Sequence, residues 1–78
     1  KPPLRRLHDS IYEQPGSARW SLVYHRQRTT EEIIESLRPG AESPLLVKAD
    51  GSVMQGNTRI KVLQERGYPV DDLKRDPP

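Results

Sequence analysis

The stretch Asp50-Gly51-Ser52-Val53-Met54-Gln55-Gly56-Asn57-Thr58-Arg59-Ile60-Lys61-Val62-Leu63-Gln64-Glu65-Arg66-Gly67 decides how this chain is read. Asp50-Gly51 is a hairpin turn pair, since such turns need backbone angles that glycine adopts freely. Ser52 to Gln55 is then a return strand, and Gly56 opens a helix. Ile60 and Leu63, with Val62, face the core, and Gly67 ends the helix. The helix entry is Gly56-Asn57-Thr58-Arg59. The first N–H groups of a helix have no intrahelical partner, and the helix dipole is positive there. Anions are attracted to such an end, a glycine lets a ligand approach the backbone, and Arg59 adds a planar charged fork suited to phosphate. These four residues are therefore candidates for a phosphate cradle. The plainer reading has Asn57 capping the helix and Arg59 standing in solvent.

Moving outward towards the N-terminus, Pro44-Leu45-Leu46-Val47-Lys48-Ala49 reads as the first strand of the hairpin. Thr29 to Leu37 reads as a helix. Thr29 and Glu32 have the capping-box spacing, Glu31, Glu32 and Glu35 suit its positive end, and Pro39-Gly40 stops it. Ile33, Ile34 and Leu37 form its buried stripe, and the glutamates form its solvated face. Trp20-Ser21-Leu22-Val23-Tyr24 is aromatic and branched enough to be a strand, with His25 half exposed after it. Residues 15–19 read as a linker. Leu4, Leu7 and Ile11 are spaced as one face of a short helix over about residues 4–13, which Pro15-Gly16 ends. His8 falls on its polar side, without a second histidine at ligand spacing, and reads as a surface residue. Beyond Gly67, Tyr68-Pro69-Val70 is a short extended segment and 71–78 a polar tail without regular structure. The order is helix, strand, helix, hairpin, helix, tail. That makes a small α+β fold with helices packed on one face of a little sheet.

With 78 residues the chain has room for one small domain, and the absence of Phe leaves its core to scattered Leu, Ile and Val. There is no cysteine, so disulfides, thiolate metal sites and cysteine nucleophiles are excluded. No apolar run is long enough to span a membrane, and the expected location is cytoplasmic. Residues 1–28 carry six basic side chains against two acidic ones, whereas residues 29–78 carry seven against nine. A basic first third fits nucleic acid or an acidic partner; the plainer reading is that the two parts neutralise each other across the fold. DNA binding is weakly supported, since no run of basic residues exceeds two. The basic N-terminal helix is also a candidate surface for a protein partner.

Taken in order, Pro44-Leu45-Leu46-Val47, Asp50-Gly51, Gly56-Asn57-Thr58-Arg59 and then Gly67 resemble the ParB/sulfiredoxin-like domain. The resemblance covers about residues 20–70, between an N-terminal helix with linker at 1–19 and the tail at 71–78. ParB-type chromosome-partitioning proteins have a Gly-Glu-Arg-Arg box at this place, preceded by a Gln-Pro-Arg element that Gln27-Arg28 resembles in shortened form. The resemblance implies a nucleotide held by its phosphates at the box, ATP or CTP with Mg2+, with Gly56 and Arg59 matching the box and Arg28 the upstream arginine. Asn57 and Thr58 stand where the family has Glu and Arg, which argues against hydrolysis and for a weaker phosphate grip. Sulfiredoxin chemistry needs a cysteine that is absent here, and the helix-turn-helix of the partitioning proteins has no room in this length. The first expectation is thus a module binding a nucleotide or phosphorylated ligand at Gly56, Asn57, Thr58 and Arg59, with Arg28 closing from the other side. An enzyme of the same fold, whether phosphotransferase, nucleotide hydrolase or nuclease, would need a base, for which Asp50 and Glu32 are the candidates. The third expectation is a protein-interaction module without a ligand.

Overall fold

The structure is a computed structural model that describes residues 1–7 and 9–78; the surface placement of His8 lies outside the described residues. Its regular elements are a 3-10 turn at Asp9–Glu13, α1 (Ser17–Arg26), α2 (Thr30–Leu37), β1 (Leu46–Val47), β2 (Val53–Gln55), α3 (Asn57–Glu65) and a second 3-10 turn at Val70–Asp72. The fold is α+β: three helices and a two-stranded antiparallel sheet. Among the described residues no helix is long and apolar enough to cross a membrane.

The hairpin forms where its turn chemistry requires. Gly51 has φ 92°, in the left-handed region that glycine tolerates, and Asp50 Oδ1 accepts the Ser52 amide at 2.9 Å. Val47 pairs with Val53 and Leu46 with Gln55, with a bulge between them. Such a hairpin is marginal alone and leaves two bare edges. The two ends of the chain cover them. Arg5 donates its amide to Gly51 (2.8 Å) and accepts from Val53 (3.0 Å), so the N-terminal segment lies parallel along β2. Asp76 accepts from Val47 (2.8 Å) and donates to Leu45 (3.1 Å) on the β1 side.

This edge pairing corrects the expected helix over residues 4–13. Pro2-Pro3 favour an extended entry, Leu4 is buried in the core, and among the described residues helix begins as the 3-10 turn at Asp9, which buries Tyr12 and leaves Ile11 exposed. The strand expected at Trp20–Tyr24 is also corrected, since these residues lie within α1. A strand would put Trp20, Leu22 and Tyr24 on one face and require a sheet edge to join, and Arg5 already holds the edge of β2. The helix instead buries Leu22, packs Ala18 beside it against the core, and leaves Trp20 and Tyr24 together outside. Of the residues expected to link, 15–19, Gly16 is its N-cap and residues 17–19 begin its first turn.

α2 has the expected capping box: Thr29 Oγ1 accepts the Glu32 amide (3.0 Å), and Glu32 Oε1 accepts the Thr29 amide (2.9 Å). α3 is the hub. Ile60, Val62 and Leu63 are fully buried, and α1 and α2 both pack on it with Ile33, Leu37, Leu45 and Val53 completing the core.

Candidate functional site

The start of α3 opens on a cleft of about 620 Å³. Gly56, Asn57, Thr58 and Arg59 form one wall; Ser21, His25 and Arg28 come from α1 and the turn after it; Ser36, from α2, and the loop Ala41–Ser43 form another side, and Leu7, Ile11 and Tyr12 with Met54 and Gln55 of β2 complete the lining. All five residues expected to bind a ligand, Arg28 included, thus line the same cavity.

Their individual roles differ from those expected. Gly56, not Asn57, is the N-cap of α3: it has φ 108°, and no side chain caps the helix. A Cβ at Gly56 would stand 3.1 Å from Leu37 Cδ2 and 3.3 Å from Leu45 Cδ1, so the missing side chain makes room for the core and not for a ligand. The Asn57 side chain turns away from its helix. Its Oδ1 accepts the Leu7 amide and its Nδ2 donates to the Val53 carbonyl, each at 2.8 Å, which fastens the N-terminal segment to β2. The Thr58 hydroxyl shares a 2.7 Å hydrogen bond with Tyr12. What the helix start offers the cleft is therefore its backbone. Among the described residues no acceptor meets the amides of Asn57, Thr58 and Arg59, and no acidic residue lies in the first turn.

Arg59 overturns the reading of it as a solvated charge. Its side chain is buried, and Nη1 donates to the Ser36 carbonyl (2.9 Å) and to Ser36 Oγ (3.1 Å). No carboxylate pairs with it among the described residues. Burial, and then Arg28, lower its pKa from the usual arginine value. Arg28 also forms no ion pair among the described residues and lies over the Tyr24 ring, 5.6 Å from its centroid. Its place is held by Arg66, which donates to the carbonyls of Arg26 (3.1 Å) and Arg28 (2.8 Å) and to Thr30 Oγ1 (3.0 Å). His25 is half buried on α1. Burial first, then Arg59, then Arg28, depress its pKa below 6.5, and its Nδ1 is buried without a partner among the described residues. Two arginines thus face one cavity and repel each other, and their charge disfavours protonation of His25 beside them.

The two candidate bases lie elsewhere. Asp50 caps the hairpin turn and pairs with Arg5 at 3.3 Å; the Ser52 amide holds its carboxyl below the ordinary range. Glu32 is engaged in the capping box, and the Thr29 amide lowers its pKa likewise. Among the described residues the carboxylate that lines the cleft is that of Glu42, in the loop after α2, which no sequence signal singled out. Ser36 and Arg66 were missed for a similar reason, because a helix-end serine and arginine are ordinary until the fold brings them to a partner.

No protein-family model, no curated protein and no solved structure matches this chain.

Proposed function

We propose that this chain is a small ParB-like module whose cleft binds a nucleotide or another phosphorylated ligand at the start of α3. The observation that carries the reading is Arg59: a buried guanidinium that, among the described residues, has no carboxylate partner, anchored through one nitrogen on Ser36, beside a helix start whose amides meet no acceptor among those residues. A phosphate answers both deficits, taking backbone N–H bonds and a charge-assisted contact from arginine. Arg28 faces the same space, so a bound anion also relieves the repulsion between the two arginines. With one carboxylate on the described walls, Mg2+ accompanying ATP or CTP would be held chiefly by the phosphates and by water. Such a role fits a cytoplasmic setting, where those nucleotides are abundant.

Binding is favoured over turnover. Asp50 and Glu32 are committed to a turn and a helix cap, and Glu42 is exposed on a loop. The test is an amide NMR titration of the chain with inorganic phosphate, ATP and CTP, each with and without Mg2+. Shifts centred on Asn57, Thr58 and Arg59 are expected, weakened by Arg28→Ala and lost in Arg59→Ala. The same spectra report whether each variant remains folded. Unmoved amides with all three ligands would overturn the reading.

A further inference from the structure

Trp20 and Tyr24 are 74% and 59% exposed, unusual for the largest apolar side chains of a small domain. They are four residues apart on α1, and the next step of that row is Arg28. The Gln27 amide bonds back to the Tyr24 carbonyl (3.1 Å) and the Arg28 amide to that of His25 (3.1 Å), so the chain is still wound where the row reaches Arg28. Arg28 lies over the Tyr24 ring and lines the cleft, so the aromatic row leads into the cavity at the start of α3. Each step of such a row is about 6 Å along the helix.

Within the segment that carries this row the charge has one sign, while Glu32 and Glu35 of α2 border Arg28, and Asp9 and Glu13 border Arg19 on another face of α1. Residues 14–28 hold Arg19, Arg26, Arg28 and His25 and no Asp or Glu. Arg26 is paired with Glu65, while Arg19 and Arg28 form no ion pair among the described residues. Exposed rings that lead through Arg28 into a basic cavity roomy enough for a phosphate and more match one kind of partner. Aromatic faces stack on bases, arginines follow the backbone, and neither reads sequence.

We propose that the Trp20–Tyr24–Arg28 row is a stacking platform for single-stranded nucleic acid, whose backbone phosphate enters the cleft at α3. This deepens the proposed function and rests on the cleft being a phosphate site. Base faces and phosphates are common to RNA and DNA, so both are expected to bind. Duplex is not, since its bases are already stacked on one another.

Trp20 is the single tryptophan of the chain, so its fluorescence reports on the platform directly. The folded chain is titrated with a short oligodeoxythymidylate, a short oligouridylate, an abasic sugar-phosphate strand of equal length and a duplex, and amide spectra are followed in parallel. Both single strands are expected to quench Trp20 and to shift the Asn57–Arg59 amides. The abasic strand is expected to shift those amides without quenching. Trp20→Ala, at an exposed position outside the cleft lining, is expected to weaken single-strand binding about tenfold and to leave binding of inorganic phosphate unchanged, and Tyr24→Ala is expected to weaken single-strand binding likewise. If the oligonucleotides shift the α3 amides while Trp20 emission and the Trp20→Ala affinity stay unchanged, the platform is overturned and the phosphate site stands. If neither responds, both fall. Equal quenching by duplex overturns the inference, as does a dimer that Trp20→Ala dissociates and that no oligonucleotide perturbs.

Discussion

Arg59 keeps its charge inside the fold because Ser36 supplies two oxygens to one of its nitrogens and the cleft remains open to the rest of the guanidinium. Arg59→Lys keeps the charge and loses the fork. Phosphate affinity should fall roughly tenfold by NMR titration. Arg59→Ala additionally strips the Ser36 carbonyl of this donor, at a cost of about 1–3 kcal/mol in chemical denaturation. His25 makes a second prediction at this scale. Its folded pKa is depressed, so the unfolded chain binds more protons as the pH falls through 6.5 towards the lower folded value. The stability tied to a neutral His25 is therefore complete above about pH 6.5 and declines below it. The denaturant midpoint should fall over that window, and His25→Gln should flatten the fall. Glu32, Asp50 and Glu65, all with lowered pKa values, lose their contributions in a more acidic range and do not confuse the comparison. In the sequence, Arg59 was legible as a residue next to a helix start. Its burial was not, because Ser36 lies 23 residues away and meets it only after α2 packs on α3.

Elements whose ends carry local chemistry were read well. The Thr29–Glu32 spacing, the Asp50-Gly51 turn and the two glycines bounding α3 state their geometry within a few residues, and each is present. Thr29→Ala should destabilise the fold by about 1 kcal/mol through loss of the cap, measured by urea titration. Gly56→Ala is expected to cost more, about 1–3 kcal/mol. It forces a left-handed backbone on a residue with a side chain and presses a methyl on Leu37 and Leu45. Elements without such signals went astray. The run from Trp20 to Tyr24 has strand-like composition, and its helical state follows from Leu22 and Ala18 packing on the core while the rings stay outside. Leu4, Leu7 and Ile11 have helical spacing, yet the open edge of β2 claims the backbone at Arg5.

Across the whole molecule the two ends of the chain meet. The Leu4 amide donates to Asp71 Oδ1 at 2.9 Å, Arg75 reaches the Pro2 carbonyl at 2.9 Å, and Lys1 reaches the Leu73 carbonyl at 3.4 Å. The basic first third is balanced in places, through Arg5 with Asp50 and Arg26 with Glu65, and unbalanced at the cleft, where Arg28 and Arg59 form no ion pair among the described residues. Phosphate binding there should weaken as salt is raised, whereas the fold, which rests on its apolar core, should change little. The meeting of the ends also bears on time. Its contacts span 67 to 73 residues of chain, so the loops they close are almost the whole polypeptide. Contacts so distant form late, after the hairpin and helices have found their places. Asp71→Ala should therefore speed unfolding in stopped-flow experiments while barely slowing refolding. The N-terminal strand would be the first to let go, baring the edge of β2 while α3 and its neighbours still hold.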